Sequence, residues 1–224
     1  MDGTTVVALS TPPGESGIAV IRMSGTGAVD ILDRMVPSAG SWESHKAYKK
    51  TLNKANGEPI DEVLVTVMTA PNSYTGEDVV EISCHGSVHI YSSIIEEAVY
   101  LGAEHAAPGE FTKRAYLKGK LDLTQAEAIA DLISAETQLQ ARVALEQLEG
   151  SLSKKIGGIE KKLLEQLAIL ELSIDFSEED IELYSKDSLR KKSEEIIDEL
   201  EQMIDSGITG KKLTTKGTKE RINR

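Results

Sequence analysis

Two charged residues interrupt stretches that otherwise read as hydrophobic strands. Arg22 lies in GIAVIRMSG, where alternation puts Ile18, Val20 and Arg22 on one face and Ala19, Ile21 and Met23 on the other. Glu81 poses the same problem in DVVEIS, flanked by Val80 and Ile82. With apolar residues on both faces, each charge must be paired or must face a ligand. An internal Arg22–Glu81 ion pair and a ligand site are both open readings of the residues alone. A third charged centre lies around Gly119, where Lys118 and Lys120 follow Lys113 and Arg114 in PGEFTKRAYLKGKLDLTQAEAIADLI, from Pro108 to Ile133. That basic cluster suits either an anionic ligand or a solvated surface.

Other chemistries fare worse. The loop TPPGESG, from Thr11, invites a phosphate-binding reading, yet phosphate loops lead into a helix N-terminus and this one leads into a strand. No G-x-x-x-x-G-K-[ST] loop occurs anywhere in the chain, so it is not expected to bind or hydrolyse GTP. Cys84, His85 and His89 lack a second cysteine pair and make a poor zinc set, so no metal site is expected and Cys84 reads as a buried structural thiol. With one cysteine there is no internal disulfide, and with no apolar run of signal-peptide or membrane-span type a cytoplasmic location and no membrane are expected.

The elements that must position these residues change character midway. Thr4 to Ser10, Gly17 to Met23, Pro59 to Thr69 and Asp78 to Ser83 read as strands, with helices over Ala28 to Met35 and Ser87 to Leu101. A further helix is expected to start at Thr124, with Glu127 closing a capping box. Leu145, Leu148, Leu152, Ile156, Ile159, Leu163, Leu167, Leu170 and Ile174 then form one apolar stripe at helical spacing. Leu189, Ile196, Ile197, Leu200, Met203 and Ile204 form a second, after the SEED segment at Ser177. The fold class is therefore α+β: an N-terminal domain over 1–118 and a partial all-α helical domain over 119–209. Residues 210–224 read as a basic tail, linker or disordered, either solvated or docking an anionic partner. Two stripes want a third or fourth helix, so an exposed apolar face, partial disorder or burial by a second copy is expected. The net charge of −12 opposes broad binding to nucleic-acid phosphates, and 4% aromatic content leaves little for base stacking.

Three blocks carry a resemblance: TPPGESGIAVIRMSG from Thr11 to Gly25, YTGEDVVEISCHG from Tyr74 to Gly86, and the stretch from Pro108 to Ile133. In order and spacing the chain closely resembles the bacterial and organellar tRNA-modification GTPases of the MnmE family, also called TrmE, over roughly its first 205 residues. The resemblance implies an N-terminal α/β domain similar to the folate-binding, aminomethyltransferase-like domains of one-carbon enzymes. It maps the folate ligands of that family onto Arg22, Glu81 and Lys120, with no catalytic nucleophile among them. It also implies a tetrahydrofolate derivative as cofactor, 5-formyl- or methylene-tetrahydrofolate. GTP, magnesium and potassium sites belong to a GTPase domain that this chain lacks, as do a folate-contacting lysine and a functional cysteine of the family's C-terminal segment.

A pterin presents a ring N–H and an exocyclic amine side by side, which a carboxylate such as Glu81 can accept together. Arg22 then orients the pterin or counters the glutamate tail, and Lys120 does the latter as a point charge. Ser16 and Ser87 depart from the family pattern, standing where glycine is common. The resemblance further implies a homodimer formed through the N-terminal half and, in the whole protein, an FAD-containing MnmG-type partner with tRNA as substrate, modified at C5 of the wobble uridine. Two rival expectations are a dimerising adaptor that binds no folate, and a stand-alone folate-dependent aminomethyl-transfer protein.

Overall fold

The computed structural model describes residues 3–37, 40–175 and 186–222. The chain is α+β and divides into two compact units, Met1–Asp122 and Leu123–Arg224. The break falls a few residues beyond the boundary expected after residue 118. Unit 1 holds β1 (Val6–Leu9), β2 (Ser16–Ser24), α1 (Ala28–Met35), β3 (Ala47–Asn53), β4 (Pro59–Met68), β5 (Val79–Gly86), α2 (Val88–Tyr100), β6 (Glu104–His105) and α3 (Glu110–Leu117). Its sheet runs β3-β4-β5-β2-β1-β6, antiparallel except for the short β1–β6 pair. Sequence periodicity located β1, β2, β4, β5, α1 and α2, but β3, β6 and α3 lie in segments too polar or too short to show one.

The sheet's inner face makes the core. Ala19, Ile21 and Met23 of β2, Val63, Val65 and Val67 of β4, and Val80, Ile82 and Cys84 of β5 are all buried. Against them α1 sets Ala28, Ile31, Leu32 and Met35, the i, i+3, i+4, i+7 stripe of an amphipathic helix, and α2 sets Tyr91, Ile94 and Ala98. Asp30 in the first turn and Arg34 in the last complement the dipole of α1.

Among the described residues of unit 1, α3 and the loop between β4 and β5 cover one end of the outer face. Ser24 and Thr75 are fully buried there and share a hydrogen bond of 2.7 Å. Arg114 of α3 places Nη1 2.8 Å from Glu77 Oε2, 2.9 Å from Thr4 O and 3.2 Å from Ser24 O. Ser24 Oγ donates to the same Glu77 oxygen at 3.0 Å, and Glu110 Oε1 accepts from Arg114 Nε at 3.3 Å. Arg114 is thus a buried structural cation, neutralised by two carboxylates, and not one of a set of basic neighbours for Lys120. α3 ends in a Schellman motif: Lys120 N donates to Ala115 O and Gly119 N to Tyr116 O, each at 2.9 Å. Gly119 supplies the left-handed residue, φ 69°, that this ending requires.

Unit 2 holds α4 (Leu123–Ser134), α5 (Gln138–Leu148), α6 (Ser151–Asp175) and α7 (Lys186–Ile222). The expected helix start is displaced: Leu123 is already helical and Thr124 Oγ1 instead meets Ser153 Oγ at 2.7 Å. The capping box forms one helix later, where Thr137 caps α5 reciprocally with Gln140. The long apolar stripe is cut at Gly150, φ 80°, so Leu145 and Leu148 end α5 and the rest belongs to α6. α6 and α7 run antiparallel, joined by the Lys162–Glu199 ion pair and by Ser193 Oγ donating to Gln166 Oε1 at 3.0 Å. Within the single chain Ile159 and Ile196 are buried, whereas Leu163, Leu167, Leu170, Ile174, Ile197, Leu200 and Ile204 are exposed. The backbone of α7 is helical to Ile222. The SEED segment lies outside the described residues.

Removing one partner of a buried charge pair leaves the other desolvated and unpaired. Arg114→Met is expected to destabilise unit 1 by about 3–5 kcal/mol. Lys49→Met, which breaks the exposed Lys49–Glu62 pair, should cost less than about 1 kcal/mol. Urea unfolding of the two variants beside wild type checks the contrast.

Candidate functional site

β2 and β5 are neighbours in the sheet, and their register pairs Arg22 with Glu81 directly. Arg22 Nε donates to Glu81 Oε1 at 2.9 Å and Nη2 approaches the same oxygen at 2.7 Å. Both contacts fall on Oε1, so Oε2 of Glu81 and Nη1 of Arg22 make no hydrogen bond among the described residues. One acceptor on Glu81 and one donor on Arg22 are therefore left over on the same strand-to-strand rung. The guanidinium also lies over two aromatic rings, 5.1 Å from the centroid of Tyr74 and 5.4 Å from that of Phe111.

The pair stands at a border on the outer face. On one side Ser24 and Val79 are fully buried beneath α3 and its loop; on the other Ile18 is 64% exposed and Leu64 51%. Arg22 and Glu81 lie between, at 25% and 31% side-chain exposure. Apolar residues on both faces of these strands suggest burial on both sides, but beyond Arg22 the outer face is open, because among the described residues of unit 1 no helix covers that end of the sheet. The contrast with Arg114–Glu77, at 10% and 14%, separates a sealed ion pair from one that solvent can reach.

Lys120 reaches the same neighbourhood by another route. Its Nζ donates to Pro71 O at 3.1 Å, and its hydrogen bond among the described residues goes to this loop, not to Arg22 or Glu81. The loop passes close beneath: a Cβ at Gly76, φ 76°, would stand 3.2 Å from Lys118 Cβ and 3.3 Å from Lys120 Cγ. Lys118 and Lys120 thus flank the loop that carries Tyr74. Three candidate residues are gathered by one loop and two strands, with Arg22 and Glu81 in contact and Lys120 linked through the backbone of Pro71 to Gly76. Tyr74 and Phe111 were not singled out from sequence. The available signal was positional: Tyr74 opens the YTGEDVVEISCHG block, and Phe111, one of two phenylalanines, sits inside the basic stretch.

Two family models divide the chain as the structure does. Residues 5–120 match the GTP-binding protein TrmE N-terminus and residues 123–220 the MnmE helical domain. The chain belongs to the MnmE family. It is 45% identical over 213 residues to the tRNA modification GTPase MnmE of Alkaliphilus oremlandii, covering 92% of this chain and 46% of that protein. It is 44% identical over 206 residues to the Aquifex aeolicus protein of the same name, with 92% and 46% covered. The Listeria innocua protein of that name is 42% identical over 215 residues, with 94% and 47% covered. The chain spans about half the length of the curated relatives it matches. In this MnmE-family chain, no described helix is long and apolar enough to cross a membrane.

Cys84 and His85 point to opposite faces of β5, so they do not converge on one ion, and among the described residues no cluster of three His, Cys, Asp or Glu is placed to hold a metal. His85 pairs with Asp61, Nδ1 to Oδ1 at 2.8 Å, whose other oxygen accepts from His85 N at 2.9 Å. Cys84 is 3% exposed, its Sγ 3.6 Å from Ala19 O. Burial, helped by the nearby Asp61 charge, pushes its thiol up from 9.0 to about 11. Between those two values the unfolded chain loses the proton and the folded chain keeps it. The folded state then binds more protons, so stability falls as pH rises through the window. Cys84→Ala should flatten that part of the profile, measured by urea unfolding of both proteins from neutral pH to about 11.

Proposed function

We propose that unit 1 binds a tetrahydrofolate-type one-carbon donor on its outer face, at Arg22 and Glu81, and that the chain serves as the folate-binding and dimerising part of an MnmE-type tRNA-modification system acting on the wobble uridine. The observation that carries this reading is the half-open ion pair. A charge pair needed only for the fold is better sealed, as Arg114–Glu77 is at 10% and 14% side-chain exposure, whereas Arg22 and Glu81 stay 25% and 31% exposed at the edge of an open sheet face, where a ligand can reach them. A reduced pterin offers adjacent N–H donors that suit Glu81, and a carbonyl or a carboxylate tail suits Arg22. Lys120, exposed beside the Pro71 loop, supplies positive charge for the anionic tail. Bound there, the folate supplies the one-carbon unit; the chain's own residues bind it, orient it and hold charge against it. GTP hydrolysis and the contacts with an FAD-containing partner and tRNA fall to the assembled full-length system, and this chain is not expected to turn over GTP.

The competing reading, an adaptor whose Arg22–Glu81 pair is purely internal, draws on the fact that the pair is already formed. Calorimetric titration with 5-formyltetrahydrofolate separates the two. Wild type is expected to bind, and Glu81→Ala to bind at least about tenfold more weakly, because a hydrogen bond to a charged group contributes about 1.5–3 kcal/mol. Its melting temperature should change little. Equal affinities would remove the pterin role, and a chain that no longer folds would favour the internal pair.

Dimerisation rests on the same face, where exposed Ile18 and Leu64 continue the sheet's apolar surface past the ion pair. Light scattering at micromolar concentration is expected to show a dimer that Ile18→Glu with Leu64→Glu converts to monomer. If the substituted chain remains dimeric, the face that carries Ile18 and Leu64 is not the contact.

A further inference from the structure

We propose that Tyr74 and Phe111 are positioning residues for Arg22, and that they fix its guanidinium in a ligand-ready orientation before any ligand arrives. The inference rests on the folate-binding reading above and adds to it the residues that set the site's geometry. Arg22 projects from the middle of a strand onto a face that is open on one side, where a long cationic side chain would sample many rotamers. Two rings remove that freedom. The guanidinium carbon lies 5.1 Å from the Tyr74 centroid and 5.4 Å from that of Phe111, both within the range where a ring attracts a cation. Nε and Nη2 meanwhile turn toward Glu81 Oε1. Held from three directions, Arg22 leaves Nη1 as its one nitrogen without a described hydrogen-bond or ion-pair partner.

The rings belong to two different segments, and those segments are joined twice. Tyr74 Oη and Thr112 Oγ1 share a hydrogen bond of 2.9 Å near the rings. At their base, Arg114 of α3 binds Glu77 of the loop at 2.8 Å, and both are tied to Ser24 of β2, two residues from Arg22. The rings are half-buried, so their placement is not explained as core filling. A loop and a helix anchored to one strand end thus deliver two aromatic faces to one cation. That is preorganisation: the ordering of Arg22 is completed on folding, and ligand binding no longer has to supply it.

The test compares ring-removing with ring-retaining variants of the full chain. Tyr74→Leu and Phe111→Leu are each expected to weaken 5-formyltetrahydrofolate binding about tenfold by calorimetry, the size of a partly desolvated cation–ring contact. Tyr74→Phe and Phe111→Tyr, which keep the rings, should stay within about twofold of wild type. The Arg22 Nε–H resonance in a ¹H–¹⁵N spectrum of the ligand-free chain should be shifted upfield by the rings, unchanged in the ring-retaining variants and moved downfield in the leucine variants. A role in packing alone would lower the melting temperature without moving affinity in this pattern. If a leucine variant does not fold, the methionine variant at that position replaces it, and failure of both identifies the rings as core and overturns the proposal. Leucine variants that bind as wild type does, or that leave the Arg22 resonance in place, overturn it while the folate reading stands. A wild-type chain with no affinity for 5-formyltetrahydrofolate overturns the folate reading and this inference together.

Discussion

One buried guanidinium decides the layout of the outer face. Arg114 is 9% exposed, and a cation so desolvated is tolerated only with counter-charges and hydrogen-bond acceptors beside it. Its partners come from three places: Glu77 in the loop between β4 and β5, Thr4 and Ser24 beside the first two strands, and Glu110 one turn earlier in α3. Satisfying that one side chain therefore pins α3 and the loop to a single end of the sheet. Everything proposed for the site follows from that placement. Phe111 and Tyr74 reach Arg22 because their segments are held there, and the Schellman ending of α3 turns the chain so that Lys120 comes back to the loop.

The two ion pairs of unit 1 show how position in a sheet separates structure from chemistry. Arg22–Glu81 and Arg114–Glu77 both join an arginine to a glutamate at under 3 Å. The sealed pair engages its carboxylate with a serine hydroxyl as well as the guanidinium. The half-open pair is set where the cover of α3 stops, and its side chains remain 25% and 31% exposed. Coverage by neighbouring elements, and not residue type, makes the difference. The inner face needs no such device, since α1 and α2 cover it with mainly apolar side chains.

Unit 2 follows another logic. Its helices meet through a few buried positions, Ala128, Ala144, Ile159 and Ile196, and through polar pairs such as Ser193 with Gln166. The apolar side chains left exposed on α6 and α7 exceed what antiparallel packing of those two helices covers. Small buried residues at the α4 and α5 contacts let those helices approach closely, while Gly150 provides the left-handed turn that lets α6 start in a new direction.

What the sequence determined by itself was everything with a local period or a local motif. The stripe Ala28, Ile31, Leu32, Met35 predicts α1 residue for residue, alternation in β2 and β5 predicts their inner faces, and the three family blocks predict membership and fold class. Periodicity also misled where it ran through a chain reversal, since the spacing from Leu145 to Ile174 does not reveal that Gly150 adopts a left-handed conformation. Tertiary structure alone decided which charges are partners. Arg22 meets Glu81 across 59 positions and Arg114 meets Glu77 across 37, separations with no local signature. The alternation that placed Arg22 opposite Met23 could not say that the outer face is covered at Ser24 and open at Ile18, nor that two rings converge on Arg22. Local sequence sets which way a side chain points, whereas burial and partnership depend on what the rest of the chain brings to that face.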